Sequence, residues 1–282
     1  MQGKKANIPA EELRQLLQSK PLAEIATHFN VSKTTIQRYK KKYELSVNPE
    51  VKRKINSESH SKWLYNIHYF DKIDTMNKAY LLGFICADGF VTDTNEVGIA
   101  VSEKDKGIVE FFQKELQTNK PIRTIFSSKS KAVELRLQNV FLANSIKKYG
   151  IVPRKSLILN IEQVIKKAQL TPEQISVFLL GYFDGDGCIS IAHRKDNNKE
   201  YFEMNVTGTK ETILYFYNYF DSHGCITKRH KDNKNNYTLS MSNNYTTIYN
   251  ALKKIYCDCN KLDFFFQRKY EKFKKLEIKL KS

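Results

Sequence analysis

Residues 80–89 read Tyr80-Leu-Leu-Gly-Phe-Ile-Cys-Ala-Asp-Gly89, and residues 179–187 repeat the pattern as Leu179-Leu-Gly-Tyr-Phe-Asp-Gly-Asp-Gly187. Each copy carries two small residues four positions apart: Gly83 and Ala87 in the first, Gly181 and Gly185 in the second. Residues at this spacing share one face of a helix. Because this face has almost no side chains, two such helices can approach more closely than the usual separation of about 8–10 Å. The repeat therefore predicts two helices that pack against each other within one chain.

Both helices are predicted to end at an Asp-Gly pair, with Gly89 and Gly187 in the left-handed conformation that often ends a helix. Asp88 and Asp186 then lie at helix C-termini, where the helix dipole disfavours a carboxylate by about 0.3–1 kcal/mol. Two such ends side by side add repulsion between like charges. A divalent cation would relieve both effects, and carboxylate oxygens suit Mg²⁺. Asp-Gly alone is a common turn dipeptide, but the recurrence of the whole pattern favours a functional pair.

Both segments resemble the LAGLIDADG motif, and roughly residues 63–277 resemble a monomeric, two-motif LAGLIDADG homing endonuclease. The resemblance implies an α+β fold in which two pseudo-symmetric αββαββα halves form a saddle over DNA. It implies a site-specific endonuclease that hydrolyses one phosphodiester on each strand of a long, asymmetric duplex target. The expected cofactor is Mg²⁺, as two or three divalent ions, with Mn²⁺ able to substitute and Ca²⁺ binding without supporting cleavage.

The resemblance also implies roles for individual residues. Asp88 and Asp186 would hold the metal ions that activate water and stabilise the leaving oxygen, with Ala87 and Gly185 beside them in the metal site. The family places a lysine near each centre. The matching positions are Lys155, in Gly150-Ile-Val-Pro-Arg-Lys-Ser, and Lys269, in Phe266-Gln-Arg-Lys-Tyr. Alternatively, both are surface lysines that face phosphates as mobile point charges.

Two further positions depart from the family pattern. The family uses a polar residue after the second strand, where Val101-Ser-Glu-Lys aligns with Val206-Thr-Gly-Thr, so Glu103 fits this role and Gly208 cannot. The sixth motif position, usually acidic, is Cys86 in the first copy and Asp184 in the second. These departures imply that the two half-sites are unequal.

The composition indicates a polyanionic partner. The net charge is +17, from 47 Lys and Arg against 30 Asp and Glu, and neutralising phosphates is how proteins gain affinity for nucleic acid. No run approaches the ~18 apolar residues of a membrane span, and the N-terminus does not resemble a signal peptide. The five cysteines form no Cys-x-x-Cys pair, so neither a disulfide framework nor a zinc site is predicted. An intracellular location is expected, cytoplasmic in a prokaryote or virus and organellar in a eukaryote.

Residues 1–45 are predicted to form a helix-turn-helix DNA-binding domain. Three short helical patterns lie between Pro9 and Tyr43, and Ser32 is placed to cap the third. This pattern resembles the helix-turn-helix of resolvases and related regulators, which implies that the third helix enters the major groove. The side chains expected to face DNA are Ser32, Lys33, Thr34, Gln37 and Arg38. An ordinary helical hairpin with a solvated basic face is the alternative.

Residues 46–62 read as a linker, followed by halves at residues 63–165 and 166–282. Beyond each motif, apolar and polar residues alternate with a period of two. This alternation is typical of a β-strand that has one face buried in the core. Helices are predicted at residues 106–116, 140–149, 212–221 and 244–256. The resemblance implies that the solvent-exposed faces of these strands read base edges in the major groove. The candidates are Arg123, Glu134, Arg136, Gln138, Arg194, Lys195, Lys228 and His230; each taken singly also fits a solvated strand residue or a phosphate contact.

Three other functions share parts of this pattern. A non-cleaving DNA-binding regulator would use the same fold, although both aspartates are retained. An RNA maturase that assists intron splicing is compatible with the sequence. An endonuclease embedded in an intein would need a splicing domain and a terminal His-Asn pair, whereas this chain ends in Leu-Lys-Ser. The predicted function is a monomeric, metal-dependent DNA endonuclease.

Overall fold

The computed structural model describes residues 8–48, 63–126, 131–193, 200–229, 235–242 and 244–281. Its contacts divide the chain into two units, Met1–Lys62 and Trp63–Ser282. No helix in the described ranges has both the length and the apolar composition that crossing a membrane requires.

The first unit contains three short helices, α1 (Ala10–Leu17), α2 (Leu22–His28) and α3 (Lys33–Lys42). Their own small core consists of Ile8, Leu13, Leu17, Ile25, Ala26 and Ile36. As predicted, Ser32 caps α3, since its hydroxyl oxygen accepts a hydrogen bond of 3.1 Å from the Thr35 N–H. Asn30 takes a positive φ of 50° in the turn before it, a conformation that asparagine tolerates.

The first half of the second unit contains α4 (Met76–Ala87), β1 (Gly89–Val91), β2 (Glu96–Ser102), α5 (Lys106–Glu115), β3 (Arg123–Phe126), β4 (Lys131–Gln138), α6 (Val140–Lys147) and α7 (Ile161–Ala168). The second half contains α8 (Pro172–Asp186), β5 (Gly187–His193), β6 (Glu200–Gly208), α9 (Lys210–Tyr219), β7 (Cys225–Lys228), β8 (Tyr237–Ser242), α10 (Tyr245–Tyr256) and α11 (Gln267–Lys281).

The two halves share one topology. The first sheet has the strand order β1-β2-β4-β3 and the second β5-β6-β8-β7, and every neighbouring pair is antiparallel. The predicted αββαββα order therefore occurs twice, and the fold class is α+β. The helices α7 and α11 follow each repeat as additional elements.

The two motif helices begin at well-defined caps. The Thr75 hydroxyl oxygen accepts a hydrogen bond from the Lys78 N–H at the start of α4. Thr171 and Gln174 form the predicted capping box at the start of α8, with Pro172 at the first helical position. The Gln174 amide also donates to the Ile73 carbonyl oxygen at 3.1 Å. This bond joins the two helix starts, so the helices are held side by side from their first turns.

The small residues of both motifs lie where α4 and α8 meet. A Cβ atom on Gly83 would lie 1.9 Å from the Phe178 carbonyl oxygen, and one on Gly181 would lie 2.1 Å from that of Tyr80. Real Cβ atoms cannot come this close to a backbone oxygen. The interface between α4 and α8, called the seam below, therefore requires glycine at both positions. The prediction of two closely packed helices within one chain is therefore confirmed.

The glycines after the two aspartates do not have the predicted left-handed conformation. Gly187 has φ −101° and ψ 161°, and Gly89 is not among the described residues with positive φ. The chain instead turns directly into a strand at both places. A Cβ atom on Gly89 would lie 2.6 Å from Ile85 Cα, and one on Gly187 would lie 2.1 Å from the Phe183 ring. Glycine is needed here because the backbone passes so close to the preceding helical turn.

The alternating apolar residues of the strands form the predicted buried faces. In β2 and β4, Val97, Ile99 and Val101 pair with Leu137, Leu135 and Val133, and all six side chains are buried. In β6 and β8, Met204 and Val206 pair with Met241 and Leu239 and are buried likewise. These faces join α4 and α8 in one hydrophobic core, so both sheets pack against the helical seam through their apolar sides.

Candidate functional site

Asp88 and Asp186 lie at the adjacent C-terminal ends of α4 and α8. A Cβ atom on Gly185 would lie 2.5 Å from Ala87 Cβ and 3.4 Å from Asp88 Cγ, so the carboxyl group of one motif contacts the residue before the other carboxyl. Both aspartates line one cleft of about 270 Å³. The small-residue spacing, together with the Asp-Gly pair that ends both helices, predicted this proximity.

The cleft makes a full charge on both carboxyl groups unfavourable. Burial is the main cause that raises the pKa of Asp186 to about 6, and the nearby charge of Asp88 raises it further. Burial likewise raises the pKa of Asp88. Lys155 and Lys269 oppose the rise in both carboxyl groups. A bound cation would stabilise the charged form of both carboxyl groups and reduce the repulsion between them.

Lys155 is fixed beside the first aspartate. It lies on a short 3-10 turn, Lys155–Leu157, after Arg154 in the left-handed conformation. Its side chain is 7% exposed, and its ammonium group donates to the Ala87 carbonyl oxygen at 2.7 Å. Burial lowers the pKa of Lys155, while the charges around it, those of Asp186 and Asp88 included, oppose this change. Lys155 is thus a buried cation of the site.

Lys269 occupies the corresponding place in the second half. Its side chain is 3% exposed, and its ammonium group donates to the carbonyl oxygens of Phe183, Asp184 and Gly187 at 2.6, 2.8 and 2.6 Å. Burial lowers the pKa of Lys269 to about 8. These bonds help to satisfy carbonyl groups at the end of α8, where the Phe183 carbonyl oxygen also accepts from the Gly187 N–H. The alternative of exposed, mobile lysines is therefore wrong for both Lys155 and Lys269.

The sixth motif position differs between the halves, as the sequence indicated. Asp184 is buried and accepts hydrogen bonds from the Tyr80 hydroxyl at 2.7 Å and the Phe266 N–H at 2.9 Å. It connects α8 to α4 and to the segment before α11. Cys86, its counterpart, lines the cleft, and burial raises the pKa of its thiol to about 12. The Cys86 side chain is therefore an uncharged part of the cleft surface.

Glu103, the predicted polar residue after β2, is exposed and lies 3.8 Å from the Lys131 ammonium group. The neighbouring Asp105 is the acid whose charge raises the pKa of Asp88. Asp105 also forms an ion pair with Arg268, with contacts of 2.9 and 3.2 Å. Alignment of the two copies did not indicate Asp105, because its counterpart in the second half is Lys210.

Arg229 and Asn236 line the cleft with Asp186, and no sequence pattern predicted either residue. They come from the β7–β8 hairpin, where the Arg229 N–H donates to the Asn236 carbonyl oxygen at 2.9 Å. The Asn236 Oδ1 atom is buried and has no hydrogen-bond partner among the described residues. Neither residue belongs to a repeated pattern, so only the hairpin geometry brings them to the site.

The predicted DNA-facing residues occupy different environments. The five candidates on and beside α3 are exposed: Ser32, Lys33, Thr34, Gln37 and Arg38. Four strand residues are also exposed: Arg123, Arg136, Gln138 and Lys228. Glu134, by contrast, is 5% exposed and lies 2.7 Å from Arg136 and 3.5 Å from Arg123. Glu134 therefore forms salt bridges with both arginines. It is not the exposed residue that the strand alternation predicted. Arg194, Lys195 and His230 lie outside the described residues.

The donor set fits a hydrated Mg²⁺ ion. Within the described ranges, no three His, Cys, Asp or Glu side chains converge on one point. Two carboxylates that face one cleft are the minimal protein contribution typical of Mg²⁺, which keeps several waters and accepts phosphate oxygens. The Ala87 carbonyl oxygen already accepts the Lys155 hydrogen bond, so the side-chain oxygens of Asp88 and Asp186 are the stronger candidate ligands.

Residues 179–276 match the family model described as LAGLIDADG endonuclease. No curated protein matches the sequence. Among solved structures, the I-LtrWI LAGLIDADG homing endonuclease bound to target DNA is similar with 14% identity and a TM-score of 0.48, over 77% of this chain and 92% of that chain. The LAGLIDADG homing endonuclease I-GzeII in complex with its DNA target is similar with 14% identity and a TM-score of 0.48, over 71% and 88%. The LAGLIDADG meganuclease I-AabMI bound to uncleaved DNA is similar with 16% identity and a TM-score of 0.45, over 72% and 90%.

Proposed function

We propose that the protein is a site-specific homing endonuclease that cuts both strands of a DNA duplex with the help of divalent cations. The observation that carries this proposal is the position of Asp88 and Asp186, whose carboxyl groups share one cleft at the ends of two closely packed helices. The match of residues 179–276 to the LAGLIDADG endonuclease model agrees with it.

Asp88 and Asp186 would hold the cations at this cleft. A bound Mg²⁺ supplies activation of water and stabilisation of the leaving oxygen in phosphodiester hydrolysis. The residues of the chain orient this chemistry. Lys155 and Lys269 place two ammonium groups beside the carboxylates, where their positive charge opposes repulsion between the acids. Because hydrogen bonds to backbone carbonyl groups hold both lysines, their charges are positioned before substrate binds, which lowers the reorganisation needed during reaction.

The DNA would be held by the exposed basic residues. Arg123, Arg136 and Lys228 project from strands outside the core, where their charges can meet phosphates or base edges. In the first unit, Lys33 and Arg38 are exposed on the helix that a helix-turn-helix inserts into the major groove. Two DNA-binding units on one chain raise the affinity for a long site, since the second contact is intramolecular. The protein would act as a monomer, because each half supplies one aspartate.

The direct test is a selection from a library of DNA duplexes, performed with Mg²⁺ and with a chelator. The proposal expects a defined long target that is cut on both strands only when Mg²⁺ or Mn²⁺ is present, and that is bound without being cut in Ca²⁺. A target that is bound tightly and never cut would support the non-cleaving regulator. Selective affinity for folded RNA over duplex DNA would support the maturase.

A further inference from the structure

The two halves differ at the position that follows the second strand. The position after β2 carries Glu103, whereas the aligned position after β6 is Gly208. A Cβ atom on Gly208 would lie 2.6 Å from the Tyr182 hydroxyl oxygen and 3.1 Å from the Thr212 methyl carbon. The Tyr182 hydroxyl is itself held, because it donates to the Thr207 carbonyl oxygen at 3.0 Å. The second half therefore has no room for a longer side chain at this position.

The β7–β8 hairpin brings two polar side chains to the cleft. Arg229 follows β7 and Asn236 precedes β8, and a backbone hydrogen bond of 2.9 Å pairs them across the hairpin. Both line the cleft that contains Asp88, Asp186 and Lys155. Arg229, Asn236 and Asp186 all belong to the second half of the second unit.

The hairpin is fastened to the element that carries Lys155. The Asn235 Nδ2 group donates to the Leu157 carbonyl oxygen at 2.8 Å, and its Oδ1 atom accepts from the Lys210 N–H at 2.9 Å. Leu157 belongs to the same 3-10 turn as Lys155. Asn236, the next residue, is therefore positioned relative to the lysine by a specific contact.

Both side chains have unused bonding capacity. The Asn236 Oδ1 atom is buried and unpartnered within the part of the chain that the structure describes, and such a group normally bonds to protein or ordered water. Across the same residues, Arg229 has no carboxylate within ion-pair distance, whereas Arg268 in the other half is paired with Asp105 at 2.9 Å. An exposed arginine with no carboxylate partner among the described residues is suited to bind a phosphate with two parallel hydrogen bonds.

We propose that Arg229 and Asn236 are catalytic residues of the Asp186 centre alone. Arg229 binds a non-bridging oxygen of the phosphate that is cut there, and the Asn236 amide oxygen accepts a hydrogen bond from water at that phosphate. They take the place of the polar residue that Gly208 excludes. This inference rests on the proposed nuclease function, and it predicts that the two residues serve only one DNA strand.

The test uses the full-length protein and a cognate duplex labelled differently on its two strands, so that each cut is timed separately. Arg229→Ala and Asn236→Ala should each slow cleavage of the same strand by at least about tenfold. The other strand should be cut within about twofold of its normal rate, so a nicked duplex accumulates. Lys253→Ala is the matched control, because it removes one exposed positive charge from α10 in the same half, away from the cleft.

Two further measurements separate catalysis from folding. Thermal unfolding should show that each variant is folded at the assay temperature, and Arg229→Lys, which keeps the charge, should cut the affected strand faster than Arg229→Ala. Equal slowing of both strands, slowing of different strands by the two variants, or no slowing would overturn the inference while leaving the nuclease function intact. If the unmodified protein cuts neither strand of any duplex that it binds, both the function and the inference fail.

Discussion

Gly181 of α8 lies against Tyr80 of α4 so closely that a Cβ atom on the glycine would be 2.1 Å from the tyrosine carbonyl oxygen. Gly83 and Phe178 repeat this contact with the roles of the helices exchanged, at 1.9 Å. The two contacts follow the internal symmetry of the chain. They bring the ends of both helices together, and the two carboxyl groups of the cleft are adjacent as a consequence.

Replacing either seam glycine by alanine should destabilise the second unit. Gly83→Ala or Gly181→Ala would force the helices apart, and overpacking of this kind costs about 1–3 kcal/mol or more. Gly150→Ala is a useful comparison, because Gly150 has φ +94° but its Cβ would have only Lys167 Nζ nearby, at 3.6 Å. Strain of the backbone alone should cost it about 1 kcal/mol. Urea unfolding measures both, and a seam variant as stable as the parent would contradict close helix packing.

The pKa of Asp186 predicts how stability changes with pH in the absence of metal. Because the folded protein raises this pKa from 3.8 to about 6, folding favours the protonated carboxyl. The parent should therefore lose stability relative to Asp186→Asn as the pH rises through this range, by up to about 3 kcal/mol. At about pH 4 and below, the two proteins should be similar.

Chemical unfolding of both proteins across this range, with a chelator present, checks that prediction. The same substitution at the exposed Asp93 serves as the control. Addition of Mg²⁺ near neutral pH should stabilise the parent and not Asp186→Asn. A difference between the two proteins that does not depend on pH would show that Asp186 is not held in a desolvated, negatively charged site.

Lys269 and Lys155 should differ in their structural importance. Lys269→Met leaves three carbonyl groups without their charged donor, those of Phe183, Asp184 and Gly187. It should lower the free energy of unfolding by about 3 kcal/mol, whereas Lys155→Met, which affects only the Ala87 carbonyl, should cost about 1 kcal/mol. Denaturant titration of the two variants measures this difference. Equal losses would contradict the hydrogen-bond arrangement at the end of α8.

Local sequence patterns predicted much of this architecture. The spacing of Gly83, Ala87, Gly181 and Gly185 predicted the packed helices, and the alternation of Val97, Ile99 and Val101 predicted a strand with a buried face. Thr171, Pro172 and Gln174 marked the start of α8. Each of these signals depends on residues close in sequence, for which helix or strand geometry fixes the relative positions.

Other features could not be read from local patterns. The role of Gly187 depends on its distance from the Phe183 ring, so its conformation was predicted wrongly. Glu134 has the spacing of an exposed strand residue, but Arg136 and Arg123 cover it. Asp105 and Asn236 reach the two aspartates only through tertiary packing of a helix start and a hairpin. Such positions are determined by contacts between distant segments, about which hydrophobic periodicity carries no information.

The N-terminal unit should contribute phosphate contacts to DNA binding. Lys33→Ala and Arg38→Ala should each weaken binding to the target and reduce the slope of log K against log salt concentration by about one. Arg14→Ala is the control, because Arg14 lies on α1 and pairs with Glu11 at 3.0 Å. Binding titrations at several salt concentrations measure the slopes. Slopes that remain unchanged in both variants would indicate a helical hairpin that does not touch DNA.

The measurement that tests the central claim most directly compares Asp88→Asn and Asp186→Asn with the parent on one selected duplex. If the two carboxylates jointly hold the cations, each variant should lose double-strand cleavage in Mg²⁺ by at least about 100-fold. Each should still bind the uncut duplex in Ca²⁺ with near-normal affinity, because most of the affinity comes from phosphate contacts elsewhere. Double-strand cleavage that persists in either variant would contradict the assignment of this cleft as a nuclease site.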